Sequence, residues 1–179
     1  MGLFDGQIAL VTGASRGIGA ATASALAAQG AHVILTARDA RALEGIEEAI
    51  HAAGGTATIA PMDLTETDAI ARLATAVAER WGKLDIMVVN AGVLPQLSSV
   101  TDIDLNAFNR AIATNVLATQ ALLSRFDPLL RKSENARVIG LSTSVSSAPR
   151  PPSSGSTTFG STTSYPWLLP GTVRVTGET

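Results

Sequence analysis

The sequence predicts an α/β fold built on a doubly wound parallel sheet, and two patterns indicate it. Short apolar runs alternate with helix-like segments from the start of the chain to about residue 145. A glycine-rich string, residues 12–19, joins the first apolar run to the first helix-like segment. Strands that alternate with helices form parallel sheets with right-handed crossovers, and such sheets bind ligands beyond the carboxyl ends of their strands.

The apolar runs predict five strands. They span residues 8–11, 32–37, 58–62, 84–89 and 137–141. The composition of the fourth run is typical of a strand buried on both faces. No comparable run follows the fifth, so we expect a Rossmann-type sheet that is truncated after that strand.

Helices are predicted between these strands. Residues 17–29 form an alanine-rich first helix, and a second segment with helical apolar spacing is closed by Gly54. Thr65 is expected to cap a third helix. The apolar face of that helix would consist of Ile70, Leu73, Val77 and Trp81. Residues 105–108 open a fourth helix, and residues 115–130 form a longer fifth one.

The composition bounds the class of protein. The chain has 179 residues, of which 46% are hydrophobic and 16% charged, with a net charge of -2. This composition suits one globular domain and does not favour nucleic acid as a partner. Cysteine is absent and the two histidines lack ligand partners at useful spacing, so no metal site is predicted. No apolar run is long enough to span a membrane and no secretory signal is present, so a cytoplasmic location is expected.

The glycine-rich string has the chemistry of an anion site. It reads Thr12-Gly13-Ala14-Ser15-Arg16-Gly17-Ile18-Gly19. Glycines allow a tight turn and a close approach of the backbone to a ligand, and the first N–H groups of the following helix point at the anion. Between a buried strand and a helix, such a string predicts a site for the pyrophosphate of a dinucleotide.

The composition changes after residue 150. Residues 151–179 are rich in Ser, Thr, Pro and Gly, and Pro149, Pro151 and Pro152 oppose a helix after the fifth strand. We therefore expect a dinucleotide-binding domain over residues 1–150 and an irregular tail over residues 151–179.

Four motifs together resemble those of the short-chain dehydrogenase/reductase family, over residues 6 to about 150. They are the glycine-rich string, Asp63-Leu64 after the third strand, Asn90-Ala91-Gly92 at the end of the fourth, and Asn115 in the long helix. The resemblance implies an oxidoreductase that transfers a hydride between a nicotinamide cofactor and a small carbonyl or secondary alcohol substrate. It also implies that the helix of residues 115–130 is a dimerisation element, so a homo-oligomer is expected.

The resemblance assigns roles to these residues. The glycine loop would cradle the pyrophosphate, Asp63 would accept a hydrogen bond from the adenine amino group, and Leu64 would back the adenine ring. The Asn-Ala-Gly turn would line the ribose beside the nicotinamide. The cofactor-binding residues implied here are Gly13, Ser15, Arg16, Gly17, Ile18, Gly19, Asp63, Leu64, Asn90, Ala91 and Gly92.

The charges near the second strand favour NADP(H) over NAD(H). Sites for NAD place an acid at this strand end to bind the ribose 2′-hydroxyl, whereas here Thr36-Ala37 is followed by Arg38. Arg16 and Arg38 can hold the 2′-phosphate of NADP through charge-assisted hydrogen bonds. Two alternatives stay open. Asp39 could pair with Arg38 or act as a displaced ribose acceptor, and both arginines could be solvated surface charges.

The catalytic residues match the family only in part. Its members use a Tyr as general acid/base, a nearby Lys that lowers the pKa of this Tyr, a Ser that polarises the substrate carbonyl, and an Asn. By layout Thr143 takes the position of the Ser, with Ser142 and Ser144 as alternatives, and Asn115 is the catalytic asparagine.

The Tyr–Lys pair of the family has no counterpart. The one tyrosine of the chain is Tyr165, and Leu169 stands where its lysine should be. Two interpretations follow. The chain is an NADP-dependent oxidoreductase of this family, or it is a catalytically inactive NADP-binding fragment or pseudoenzyme, the product of a truncated or frame-shifted reading.

Overall fold

The computed structural model describes residues 2–96 and 98–142. Within them, five strands alternate with helices as the sequence predicts. The strands are β1 (Ile8–Thr12), β2 (His32–Thr36), β3 (Thr56–Ile59), β4 (Ile86–Val89) and β5 (Arg137–Gly140). The helices are α1 (Gly17–Ala28), α2 (Ala40–Ala52), α3 (Thr67–Trp81), α4 (Leu105–Ile112) and α5 (Ala118–Leu130). The predicted tail and its boundary at residue 150 lie outside the described residues.

The strands form one sheet in the order β3-β2-β1-β4-β5. Every neighbouring pair is parallel, so all strands have their carboxyl ends at the same edge of the sheet. The direction in which the strand order grows reverses between β1 and β4, and a crevice forms at such a switch point. The predicted doubly wound parallel sheet is therefore confirmed, and β5 is the last element described.

Helices bury both faces of the sheet. Alternate residues of β1 divide between the faces, with Leu10 on one and Val11 on the other, and both are fully buried. On the Leu10 face the core is built with α3 and α5, through Ile70, Val77, Leu122 and Phe126. On the Val11 face it is built with α1 and α2, through Ala23, Leu26, Leu43 and Ile50. None of the described helices is both long and apolar enough to cross a bilayer.

Two predicted boundaries around α3 were wrong. Strand β3 begins at Thr56, two residues before the predicted start, because the turn after α2 delivers the chain directly into register with His32. Thr65 does not cap α3, whose N-cap is Glu66. The reason is that the Thr65 backbone N–H and hydroxyl both donate to Asp63 Oδ1, at 2.9 and 2.8 Å, which forms a local turn before the helix.

The two helices predicted after β4 are parts of one longer helical segment. Helix α4 continues through a π-helical turn, Ala113–Leu117, into α5. A π-turn places one extra residue in the helical circuit and shifts the side chains that follow. Asn115 lies in this turn, so the predicted start of the long helix falls inside a continuous one.

A buried carboxylate links β1, β4 and the turn after α5 at the amino edge of the sheet. Asp85 is only 4% exposed and precedes β4. Its carboxylate accepts hydrogen bonds from Ile8 N at 2.8 Å and Ser133 Oγ at 2.5 Å, and it pairs with Lys83 Nζ at 2.9 Å. Burial alone would raise the pKa of Asp85, but these three donors outweigh it and hold the pKa below its usual value.

Candidate functional site

The glycine loop lies at the carboxyl end of β1, beside the crevice. Gly13 has a φ of 65°, and a Cβ there would lie 2.9 Å from Asn90 Nδ2. A Cβ on Gly19 would contact the Gly13 carbonyl oxygen and lie 2.5 Å from the same Asn90 nitrogen. Both positions therefore exclude side chains, because the first turn of α1 packs directly against the ends of β1 and β4.

The N-terminus of α1 is open to a ligand. Its N-cap residue, Arg16, makes no side-chain capping bond. Arg16, Gly17 and Ile18 are exposed, Ser15 is half-buried, and a Cβ on Gly17 would meet no protein atom within 4 Å. Uncapped N–H groups at a helix start need water or an anion as acceptor, and the helix dipole favours the anion. The residues present therefore fit a bound pyrophosphate.

A buried hydroxyl joins β1 to β4 at the crevice. Thr12 is fully buried, and its Oγ1 accepts hydrogen bonds from the backbone N–H groups of Asn90 and Ala91, each at 3.0 Å. The same hydroxyl donates to Val88 O at 3.3 Å. In the other direction, the side-chain amide of Asn90 donates hydrogen bonds to the backbone carbonyls of Thr12 and Gly13, at 2.9 and 3.2 Å. This network holds the Asn-Ala-Gly turn against the glycine loop.

The structure assigns Asp39 a role that the sequence left open. Asp39 is the N-cap of α2, and its Oδ1 accepts a hydrogen bond from Ala42 N at 3.0 Å. Its carboxylate therefore serves the helix start. Arg38 is exposed and makes no ion pair within 4 Å in the described part of the chain. The glycine loop adjoins this strand end, because Ala14 N donates to Thr36 O at 3.2 Å.

Asp63 and Leu64 follow β3 at the same edge. The pKa of Asp63 is lowered mainly by the hydrogen bond from the Thr65 backbone; its slight burial opposes this, and the Thr65 hydroxyl, Arg38 and Arg110 add to it. The carboxylate is therefore ionised near neutral pH and able to accept hydrogen bonds. Leu64 is buried, and its side chain belongs to the core on the Leu10 face. Leu64 therefore attaches the loop after β3 to the core. Its contact with adenine stays a prediction.

Asn115 clamps the loop that follows β4. Its Nδ2 donates to Val93 O at 2.8 Å, and its Oδ1 accepts from Val93 N at 2.9 Å. The π-turn carries this side chain, and the Thr119 hydroxyl donates to the Asn115 carbonyl at 2.9 Å. A Cβ on Gly92 would lie 3.5 Å from Asn115 Oδ1, an ordinary contact. Asn115 thus connects the long helix to the carboxyl edge of the sheet.

The structure brings most of the predicted residues together at one edge. The glycine loop with Arg16 follows β1, Arg38 follows β2, Asp63 follows β3, and the Asn90–Gly92 turn follows β4. Asn115 lies against the loop after β4. Thr143 and Ser144 lie outside the described residues. Sequence reasoning missed the role of Thr12. This residue offers one signal, a hydroxyl that ends an apolar strand.

A parallel doubly wound sheet with a glycine loop and an open helix N-terminus at its switch point defines a dinucleotide-binding protein of the Rossmann class. The profile of the short chain dehydrogenase family matches residues 7–157. The match continues past the predicted boundary at residue 150. The chain belongs to the short-chain dehydrogenase/reductase family.

Similar proteins agree with this assignment. A fatty acyl-CoA reductase of Acinetobacter baylyi is 36% identical over 138 residues, which cover 76% of this chain and 47% of that protein. An L-fucose dehydrogenase of Oryctolagus cuniculus is 32% identical over 79% of this chain and 48% of its own length. The chain thus spans about half the length of these curated relatives.

Solved structures show the same likeness. A metagenomic short-chain oxidoreductase in complex with NADP is 40% identical with a TM-score of 0.78, over 82% of this chain and 66% of that one. A short chain dehydrogenase of Shigella flexneri, complexed with NADP, is 31% identical with a TM-score of 0.77, over 83% of this chain and 63% of that one.

Proposed function

We propose that this chain forms the cofactor-holding part of an NADP(H)-dependent oxidoreductase that acts on a small carbonyl or secondary alcohol. One observation carries the choice of cofactor. Arg16 and Arg38 are exposed beside the open N-terminus of α1, while Asp39, the nearest acid after β2, is occupied as the cap of α2. Neither arginine makes an ion pair within 4 Å in the described part of the chain, and two guanidinium groups suit a 2′-phosphate better than a 2′-hydroxyl.

In this proposal, different residues at the carboxyl edge of the sheet bind different parts of the cofactor. The loop of Gly13, Ser15, Gly17, Ile18 and Gly19 surrounds the pyrophosphate, supported by the exposure of Gly17 and Ile18 and by the space beside Gly17. Asp63 and Leu64 hold the adenine, and the turn from Asn90 through Ala91 to Gly92 lines the ribose beside the nicotinamide. NADPH supplies the hydride when it is bound.

The chemical step needs further groups from this chain. Asn115 keeps the loop after β4 in place through its two hydrogen bonds with Val93, which fixes one wall of the site. We assign Thr143, with Ser144 as its neighbour, the task of donating a hydrogen bond to the substrate carbonyl. A hydroxyl donor aimed at the oxygen stabilises the charge that develops as hydride arrives at the carbon.

The cofactor choice is tested by titrating the purified chain with NADPH and NADH, followed by cofactor fluorescence. Hydrogen bonds to charged groups contribute about 1.5–3 kcal/mol, so Arg16→Ala and Arg38→Ala should each weaken NADPH binding about 10-fold or more. NADH binding should change little. Arg72→Ala, which removes an exposed arginine on α3, is the matched control. Equal affinity of the unmodified chain for NADPH and NADH would overturn the choice of NADP.

Turnover separates this proposal from the alternative of an inactive NADP-binding fragment or pseudoenzyme. The NADPH-loaded chain is mixed with a panel of small aldehydes and ketones, and oxidation of NADPH is followed. Oxidation that depends on Asn115 and Thr143 supports the oxidoreductase. Binding of NADPH without oxidation of any of these carbonyls supports the inactive alternative.

A homo-oligomer through the helix of residues 115–130 is part of the same proposal. Phe108, Ile112, Val116 and Leu123 expose apolar surface along the continuous α4–α5 segment. A contiguous apolar stripe of this kind suits a protein partner, and a second copy is the partner that the resemblance implies. Light scattering after size exclusion tests it, because Val116→Lys should shift a dimer to a monomer. The cytoplasmic location stays part of the proposal.

A further inference from the structure

Strand β3 lies at one edge of the described sheet, and both histidines of the chain contact it. His32, the first residue of β2, contacts it through its ring. The Nδ1 atom lies 3.1 Å from Thr56 Oγ1, and the Nε2 atom lies 3.0 Å from Thr58 Oγ1. A neutral imidazole donates through one nitrogen and accepts through the other, so it satisfies both hydroxyls. The His32 side chain therefore links β2 to two positions of β3.

His51, in the last turn of α2, contacts the other side of β3. Its Nε2 accepts a hydrogen bond from Ala57 N at 3.3 Å. The N–H groups of Ala60 and Met62 donate to carbonyls that belong to β2 or follow it, at 2.8 and 2.9 Å. Backbone groups alternate in direction along a strand, so the N–H of Ala57 points away from β2, to the open edge of the sheet. His51 thus supplies an acceptor for an N–H group that has no partner strand.

Protonation acts against both contacts. A doubly protonated imidazole has no acceptor nitrogen, so a charged His51 loses the hydrogen bond from Ala57. A charged His32 would lie beside a ring that already carries a cation. The ring centre of Trp81 is 5.0 Å from that of His32 and 4.7 Å from Arg80 Cζ. Burial first, and then the positive charges of Arg80 and His51, lower the pKa of His32.

The surroundings offer no acid to balance a charge on His32. Its pKa responds to Arg80 of α3 and to His51 of α2, and to no carboxylate among the residues that the structure describes. Helix α2 carries Glu47 and Glu48 one turn before His51, on the helix side that His51 shares. The remaining neighbours are neutral, namely the hydroxyls of Thr56 and Thr58, the Trp81 ring, and the Gln7 carbonyl, to which His32 N donates.

We propose that His32 and His51 form a pH-sensitive pair, which holds the amino end of β3 at neutral pH and releases it in mild acid. The inference goes beyond the proposed function and does not depend on it. A histidine whose pKa is lower in the folded chain binds fewer protons there than in the unfolded chain. Its contribution to stability is complete above the unfolded pKa of about 6.5 and is lost as the pH falls through the folded value. The carboxyl end of β3 keeps the hydrogen bonds of Ala60 and Met62, so the release is local.

Amide hydrogen exchange of the full chain, followed by NMR at about pH 7.5 and about pH 5, tests the release. Rates are expressed as protection factors, which removes the intrinsic effect of pH on exchange. Protection of Ala57 should fall about 10-fold, the upper value for one hydrogen bond, while protection of Met62 should stay the same. His51→Gln offers an acceptor oxygen at every pH and should keep Ala57 protected in acid.

A double variant, His32→Asn with His51→Gln, tests the pair as a whole. The chain has two histidines and no cysteine, so this variant lacks every side chain that ordinarily titrates between about pH 5 and 8. The urea midpoint of the unmodified chain should be lower at about pH 5 than at about pH 7.5, whereas that of the double variant should not change.

The opposite results would overturn the inference. Equal protection of Ala57 at both pH values in the unmodified chain would mean that β3 is not released. An equal acid loss in the unmodified chain and the double variant would mean that other groups cause it. Loss of Ala57 protection in His51→Gln would exclude the hydrogen bond to His51 as its cause. If the double variant does not fold, NMR titration of the imidazoles decides, because a His32 ring that titrates at or above pH 6.5 contradicts the proposal.

Discussion

Removal of the Thr12 hydroxyl should loosen the connection between the glycine loop and the end of β4. Thr12→Val keeps the shape of the side chain but leaves the N–H groups of Asn90 and Ala91 without their acceptor, and Val88 O without this donor. An unsatisfied buried polar group costs about 1–3 kcal/mol. Because both N–H groups are only partly buried, we take about 1 kcal/mol for each and expect a loss of about 2 kcal/mol. A domain is stable by only about 5–15 kcal/mol, so this loss is large.

Urea unfolding followed by far-ultraviolet circular dichroism measures the change. Thr12→Ser is the matched control, because it keeps the hydroxyl and removes one methyl group, at a cost of about 1 kcal/mol. Amide hydrogen exchange gives a local readout, since the N–H groups of Asn90 and Ala91 should exchange faster in Thr12→Val alone. If Thr12→Val and Thr12→Ser unfold at the same urea concentration with equal slopes, the hydroxyl network does not stabilise the site and the reasoning is wrong.

Three further outcomes are expected. Gly19→Ala should lower the unfolding free energy by about 2–3 kcal/mol and abolish most NADPH binding, because its Cβ would lie 2.5 Å from Asn90 Nδ2. Gly17→Ala should lower it by only about 1 kcal/mol, the cost of a φ of 57° for a residue with a side chain. Equal costs in urea unfolding would contradict this. Gly45→Ala, inside α2 with open space around it, should add about 1 kcal/mol, and an unchanged melting temperature would speak against it. Asp85→Asn should flatten the acid limb of a stability–pH curve measured from pH 6 to pH 2. The reason is that the lowered pKa of Asp85 contributes stability that is complete above the unfolded pKa of about 3.9 and is lost as the pH falls through the folded value.

Short-range sequence patterns were sufficient to predict the order of strands and helices and the class of sheet. The alternation of apolar runs with helix-like segments predicted each described strand to within a few residues. The signal is clearest for β1 and β4, which are buried on both faces and therefore almost entirely apolar. The glycine loop was predicted for a similar reason, since few residues other than glycine satisfy a turn that brings a helix onto a strand end. The errors came where side chains compete for the backbone, as when Asp63 takes the N–H and hydroxyl of Thr65 and prevents that residue from capping α3.

The sequence by itself determined the class of sheet, the place of the glycine loop and the residues that end the strands, because each depends on neighbours within a few positions. Only the tertiary structure decided what their partners are. Whether Asp39 faces a helix start or an arginine depends on where α2 begins, and the clamp of Asn115 on Val93 depends on a π-turn that has no local signature. Such contacts join distant segments, and their geometry follows from the packing of the whole sheet.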